Sequence, residues 1–286
     1  MYTAKIENAN GSVMILTGNE VTYQVVDIIG LNPPQAQINT ALSAGIDGAR
    51  YNSARLEMRN IVLTVKINGD VEVNRQNLYK YFRTKEWCKF FYTNRNRDVY
   101  IDGYVESVAC DLFTNDERAQ ISILCPDPYF RDLEMIVTDI SSTIGAFEFP
   151  FAINIGQPIP LSVFDSSRAV NVYNDSEAAV GVIIDITVAG SVNTIEIRNT
   201  QTGESFVLDY AFAAGDQITV NTNKGQKSVT LLRSGQTTNL FTAMRRGSVF
   251  FQLAVGDNLF IYLADSGANN SLVDIVFSHS NIYRGV

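Results

Sequence analysis

The sequence predicts a mainly β protein of two domains, the first carrying one helix. Three observations point there. Hydrophobic and polar residues alternate with a period of two in segment after segment, one segment keeps helix spacing, and composition changes near residue 133. Residues 1–133 hold 14 Lys or Arg against 16 Asp or Glu, whereas 134–286 hold 8 against 14. With 286 residues and 46% hydrophobic content, the chain can bury one large core or two ordinary ones, and length favours two. The expected division is a first domain over 1–133, a linker over 134–148 and a second domain over 149–286.

In the first domain Val21, Tyr23 and Val25 alternate with polar residues, and Ile61, Leu63, Val65 and Ile67 repeat the pattern before the turn pair Asn68-Gly69. A helix follows over Arg75 to Phe82, with Asn74 as its expected N-cap. Leu78, Tyr81 and Phe82 fall at the i, i+3, i+4 spacing that puts an apolar stripe on one face, so this helix should lie across a sheet. Strands are expected again over Trp87–Tyr92, Val99–Ala109 and Ala119–Leu124. They stop at Cys125-Pro126-Asp127-Pro128, where two prolines remove backbone donors. Between Leu31 and Arg55 no period is sustained. That stretch opens with Pro33-Pro34 and carries Gly45 and Gly48, and it reads either as a segment bound to something or as a disordered surface loop.

The second domain reads as an all-β sandwich. Glycines at 190, 203, 215, 225 and 235 punctuate segments in which Ile195 and Ile197, Phe206 and Leu208, Ile218 and Val220, and Val229 and Leu231 alternate with polar neighbours. Phe260 with Tyr262, and then Val273, Ile275 and Phe277, close the run after a short piece over Asn239–Arg245. Tyr283-Arg284-Gly285-Val286 has no role in a sandwich, and its return to the first domain is left open.

The start of the chain has Lys5 and Glu7 rather than an apolar block, so no secretory signal is expected. The uncharged stretch Phe149–Phe164 contains Pro150, Pro158 and Pro160, which suit a connecting segment and not a spanning helix, and no membrane insertion is expected. Cys88, Cys110 and Cys125 are odd in number and lack CxxC spacing; buried free thiols in a reducing cytoplasm fit them. A net charge of -8 argues against avid wrapping of DNA.

Catalysis finds little support. The single histidine, His279, stands at a strand end without a nucleophile elbow, and reads as an exposed polar residue. One histidine excludes a histidine-based metal cluster, no calcium-loop motif occurs, and neither metal nor cofactor is expected. A two-carboxylate glycoside hydrolase stays open in principle, but Asp209, Asp216, Asp257 and Asp265 read as turn residues. The run Arg75, Lys80, Arg83, Lys85, Lys89, Arg95 and Arg97, interleaved with Tyr79, Tyr81, Trp87 and Tyr92, looks like a nucleic-acid surface but suits a protein interface better in an acidic chain.

The order of several short segments resembles the distal tail protein family of long-tailed, siphovirus-type bacteriophages and related prophage tail components. They are Gly30-Leu31-Asn32-Pro33-Pro34, Ala44-Gly45-Ile46-Asp47-Gly48, the strand Arg59 to Ile67, the helix, Ile101-Asp102-Gly103-Tyr104-Val105-Glu106, and Cys125-Pro126-Asp127-Pro128-Tyr129-Phe130. The second half is similar to that family's galectin-like domain through Phe149-Pro150-Phe151, Asn174 to Ala178, Asn199 to Gly203, Gly215-Asp216 and Gly256-Asp257-Asn258.

This resemblance implies a ring-forming N-terminal domain, a galectin-like β-sandwich and no enzymatic activity. The role implied is a structural hub: a homo-hexameric ring at the virion tail tip, assembled in the host bacterial cytoplasm, that joins the tail tube to the adsorption apparatus. Its implied partners are the tail tube protein, a tail-associated or tail-spike protein and receptor-binding proteins, with DNA only in transit. Contacts between subunits are expected at Leu31, Pro33, Pro34, Gly45, Asp47, Gly48, Arg83 and Lys85. The alternative is a carbohydrate-binding module for host surface glycans. The second half argues against it: the only tryptophan, Trp87, lies in the first domain, and of the tyrosines Tyr173, Tyr210, Tyr262 and Tyr283, Tyr262 alternates with Leu263 in a core-like strand.

Overall fold

The computed structural model describes residues 2–16, 22–45, 47–111, 117–140, 143–145, 162–164 and 169–286. Val21, Ile46, Phe149-Pro150-Phe151 and the prolines at 158 and 160 lie outside the described residues. The chain is mainly β with one α-helix and divides into two compact units, Met1–Leu133 with Ile282–Val286, and Glu134–Asn281.

Unit 1 contains β1 (Thr3–Asn8), β2 (Val13–Leu16), β3 (Tyr23–Ile29), β4 (Ala36–Ala41), β5 (Arg50–Leu56), β6 (Arg59–Ile67), α1 (Val71–Tyr81), β7 (Trp87–Thr93), β8 (Asp98–Cys110), β9 (Arg118–Cys125) and β10 (Phe130–Asp132). The main sheet runs β2-β1-β7-β8-β9-β6-β3, with every pairing antiparallel. Ile61, Leu63, Val65 and Ile67 of β6 all point into the core, as period-two alternation requires, beside Ile121 and Ile123 of β9 and Phe90 of β7.

The helix begins earlier than its apolar stripe suggests. Asp70, not Asn74, is the N-cap: it has extended backbone, and its carboxylate accepts from the Val73 amide at 3.2 Å, a cap generally worth about 1 kcal/mol. Asn74 sits a turn inside, where its amide donates to the Asn68 carbonyl at 2.7 Å and its own carbonyl accepts the Tyr23 hydroxyl at 2.8 Å. Leu78 and Phe82 are buried, and Tyr81 donates to the Ile6 carbonyl at 2.6 Å, fastening the helix to the sheet.

The stretch from Leu31 to Arg55 is neither unstructured nor a loop. It holds β4 and β5, a two-stranded antiparallel hairpin that runs from Ala36 opposite Leu56 to Ala41 opposite Arg50. Both of its faces are open to water, so burial imposes no hydrophobic alternation and the pattern was invisible in the sequence.

Unit 2 contains β11 (Ile136–Ile140), β12 (Thr143–Gly145), β13 (Ser162–Phe164), β14 (Ala169–Asn171), β15 (Val180–Gly181), β16 (Ile183–Val188), β17 (Val192–Asn199), β18 (Ser205–Phe212), β19 (Gln217–Asn221), β20 (Ser228–Arg233), β21 (Gln236–Asn239), β22 (Gln252–Leu253), β23 (Leu259–Ala264) and β24 (Val273–His279). A six-stranded sheet, β11-β24-β16-β19-β20-β21, accompanies a four-stranded sheet, β14-β23-β17-β18. The rings of Phe260 and Phe277 stack across them with centroids 5.1 Å apart, and Phe251 closes on Phe260 at 5.2 Å. The alternating residues read from the sequence, from Ile195 to Phe277, are the buried ones.

Residues 134–148 are not simply a linker. Ile136–Ile140 within that span pairs with β24, so these residues are an edge strand of the six-stranded sheet. His279 is also placed differently from the sequence reading: it is 2% exposed, because the strand end on which it sits is covered. At the far end of the chain, Ile282–Tyr283 leaves unit 2 and pairs with β10 in unit 1. Tyr283 therefore belongs to the first unit, where its ring lies under the Arg97 guanidinium at 3.9 Å.

Candidate assembly surface

The β4–β5 hairpin is the most conspicuous exposed element of unit 1. Its two strands pair only with each other among the described residues, leaving both outer edges open. Such an edge offers unpaired amides and carbonyls to another chain, and an isolated hairpin is at best marginally stable in water. The exposed apolar side chains are Ile38, Tyr51 and Leu42, the last 84% exposed. Cross-strand contacts keep the hairpin in register: the Asn39 amide donates to Ser53 Oγ at 3.1 Å, and Arg55 Nε to Gln37 Oε1 at 2.8 Å.

Of the eight residues expected at a subunit contact, six lie on this element or at its root. Gly45, Asp47 and Gly48 form the exposed tip, while Leu31, Pro33 and Pro34 lead into the hairpin. The root is engaged by its own chain as well: the Leu31 carbonyl accepts from the Val286 amide at 3.1 Å, and Pro33 packs beside Gly285. Arg83 and Lys85 are exposed on the turn between α1 and β7. Arg83 makes an ion pair with Glu86 at 3.5 Å, and Lys85 takes positive φ while its amide donates to the Val105 carbonyl at 2.8 Å. Ile38, Leu42 and Tyr51 were not singled out from the sequence; their exposure together on one element shows only in the structure.

Three members of the basic run are engaged by their own fold. Arg75 pairs with Glu72, Lys89 lies over the Tyr100 ring at 4.7 Å and the Trp87 ring at 5.6 Å, and Arg97 donates to the Gly285 carbonyl at 2.5 Å. Cations stacked on aromatic rings or tied to carbonyls are poorly placed to track a phosphate backbone.

The carboxylates considered for catalysis are likewise occupied. Asp216 accepts from the Ala213 amide at 2.8 Å and from Arg233 Nε at 2.7 Å, and the Arg233 hydrogen bonds hold its carboxyl below the usual range. Asp265 accepts from the amides of Asn193 and Thr194 at 2.9 and 3.0 Å. Asp257 accepts from the Asn171 side chain at 2.5 Å. Asp209 is not a turn residue: it sits in β18 and is held by Arg245 at 2.8 and 2.6 Å.

Burial lowers the His279 imidazole below its ordinary pKa, opposed in part by the Tyr173 main chain, yet neither ring nitrogen makes a well-formed hydrogen bond. The Cys88 and Cys125 thiols are pushed up to about 12, chiefly by burial, which makes them inert.

Two of the described segments that carried the family resemblance in unit 2 hold loop anchors. Asn174 is fully buried, and its amide donates to the carbonyls of Ala178, Leu253 and Ala254 at 3.2, 3.0 and 3.2 Å. The Asn258 amide reaches the carbonyls of Val172, Ala254 and Gly256 at 3.3, 2.8 and 3.0 Å. A buried asparagine in such a place fixes a loop because each lost bond would strand a polar group. Tyr262 is buried in the core of unit 2, and the Tyr210 ring is tilted against Phe212 with Arg233 above it at 5.6 Å.

The fold is that of a β-rich protein of two units, the first bearing an exposed arm. Residues 17–125 match the phage tail protein RIFT-related domain, and residues 175–280 match the siphovirus-type tail component, C-terminal domain. The two matches together span most of the chain, which belongs to the siphovirus-type distal tail protein family. No curated protein sequence matches it.

Among solved structures it is similar to the Dit (gp 19.1) protein of phage SPP1, described as a paradigm of hub adsorption apparatus in Gram-positive infecting phages. The identity is 14%, over 98% of this chain and 99% of that one, with a TM-score of 0.72. It is also similar to chains of the phage P2 baseplate in its activated conformation. With Ca the identity is 14% and the TM-score 0.56; with Sr they are 13% and 0.57, each over 98% of both chains. At these identities the structures speak for the fold.

Proposed function

We propose that the chain is the hub of a siphovirus-type tail tip and works as a closed six-membered ring, joining the tail tube to the adsorption apparatus and leaving a passage for DNA. The observation that carries this reading is the β4–β5 hairpin, a projecting element whose edges and apolar side chains find no cover within its own unit. Reaching across to the next subunit would cover them, and head-to-tail contacts of one kind close into a ring when the rotation allows. Leu31, Pro33 and Pro34 then aim the arm, Gly45, Asp47 and Gly48 meet the neighbour, and Arg83 and Lys85 offer positive charge to an acidic subunit.

In this reading unit 2 binds tail-associated and receptor-binding proteins and not glycans. Asp185, Thr219 and Thr230 lie side by side across the open face of its six-stranded sheet, a polar surface where a sugar site would present an aromatic platform. The protein has no enzymatic activity, is assembled in the bacterial cytoplasm and resides in the virion tail tip. Light scattering over rising concentration, with and without tail partners, tests the ring: a higher oligomer is expected, and monomer under every condition would contradict it.

A further inference from the structure

The side chain that the proposed function leaves unused is Arg59, the first residue of β6 and only 3% exposed. Its guanidinium is held by main-chain carbonyls from three separate parts of unit 1. Nε donates to Pro128 at 2.8 Å; Nη1 donates to Gly30 and, at 2.7 Å, to Asn32; Nη2 donates to Arg284. The ring of Phe130 packs against its flat face, 4.5 Å from the guanidinium carbon.

Burying a guanidinium is costly unless its donors are satisfied, so an arrangement with four carbonyls is retained where geometry matters. Two of those carbonyls, Gly30 and Asn32, belong to the root of the hairpin; a third, Arg284, belongs to the segment that returns from unit 2. Gly30 takes φ +97°, and a Cβ there would lie 2.2 Å from the Asn60 carbonyl oxygen, so the root runs tight against β6 beside Arg59. On the other side, a Cβ at Gly285 would meet Pro33 Cδ at 2.9 Å, and Arg97 and Leu31 bond the same returning segment.

We propose that Arg59 is a positioning residue for the hairpin: it ties the root to the returning segment Arg284–Val286, so that a chain presents an ordered arm only after it has come back from unit 2. The tie spans 225 residues of sequence. A chain in which unit 2 is unfinished keeps the β4–β5 pairing but not its fixed exit from the sheet, and cannot enter a ring in register. This inference rests on the proposed role of the hairpin in assembly, but it concerns how the arm is held and can be read in the monomer.

The test is hydrogen exchange resolved by segment on the full-length protein, its Arg59→Met and Arg59→Lys variants, and a Gly285→Ala variant that presses on Pro33 without touching Arg59. In Arg59→Met, exchange in Asn32–Leu56 is expected to accelerate at least about tenfold, as the loss of one hydrogen bond to a charged group would give, while β7, β8 and β9 keep their protection. Arg59→Lys should recover thermal stability but only part of the hairpin protection, because an ammonium cannot reproduce the flat fork. Gly285→Ala should loosen the same segment to a smaller extent. If Arg59→Met does not fold, Gly285→Ala and a chain ending at Tyr283 give the same reading. Exchange that accelerates equally throughout unit 1, or a hairpin indifferent to all of these changes, would overturn the proposal. A wild-type chain that never forms rings would sink the assembly role and leave this measurement standing.

Discussion

Two hairpins in this molecule have the same form and opposite surroundings. In unit 2, β19 and β20 pair Val220 with Val229 and Ile218 with Leu231, and all four side chains are buried. In unit 1, β4 and β5 pair Ile38 with Ala54 and Ala41 with Arg50, and all four are exposed. The first hairpin is held by a core it helps to build. The second has only its own ladder, a root tied by Arg59 and whatever lies outside the unit, which is why we propose it as the surface through which the chain meets another.

The sharpest way to break this comparison is to remove the exposed hairpin. Replacing residues 36–56 by a short Gly-Ser connection should abolish the oligomer while circular dichroism and melting of the monomer stay near wild type. Collapse of unit 1 on this deletion would mean that the arm belongs to the core. A paired substitution sharpens the contrast. Leu231→Ala should cost about 2–5 kcal/mol of stability, as buried leucines do, whereas Ile38→Ala should change the monomer by no more than about 0.5 kcal/mol. Urea titrations of the two variants under monomeric conditions check both values.

The same contrast explains what could be read in advance. Strands with one face in a core were legible: β6 through Ile61 to Ile67, and β17 to β20 through their alternating pairs. The hairpin was not, because alternation is written by burial and it has none. The N-cap was assigned to Asn74 in place of Asp70 because the first turn of α1 carries little apolar signal, with Val71 and Val73 on partly open faces. β11 was hidden for a related reason, as an edge strand whose Val137 is exposed. His279 looked exposed because a strand end gives no hint that other segments cover it. The exposed arm was legible in part: glycine and proline marked its tip and root, but Ile38, Leu42 and Tyr51 carried no pattern, and Arg59 looked like an ordinary strand start.

His279 supplies a smaller effect confined to unit 2. Its folded pKa lies below that of the unfolded chain, so the unfolded state binds the proton more readily. The stability it contributes is therefore fully present above about pH 6.5, the ordinary histidine value, and is lost as pH falls through the lowered folded pKa. Urea melts from pH 8 to 5 should show unit 2 weakening on the acid side, with a flatter profile in His279→Leu; an unchanged slope would contradict it. The smallest expected response is to sugars. Calorimetric titration of the full protein with galactosides and host cell-wall polysaccharide should give no saturable heat, and micromolar binding lost on changing Tyr173 would restore the lectin reading.

The central claim is that the exposed arm exists to close a ring, and electron microscopy of the purified protein tests it most directly. Particles with six-fold symmetry, absent from the 36–56 deletion, are the predicted result. Single monomers at every concentration and with every tail partner, or rings that persist unchanged without the hairpin, would contradict it.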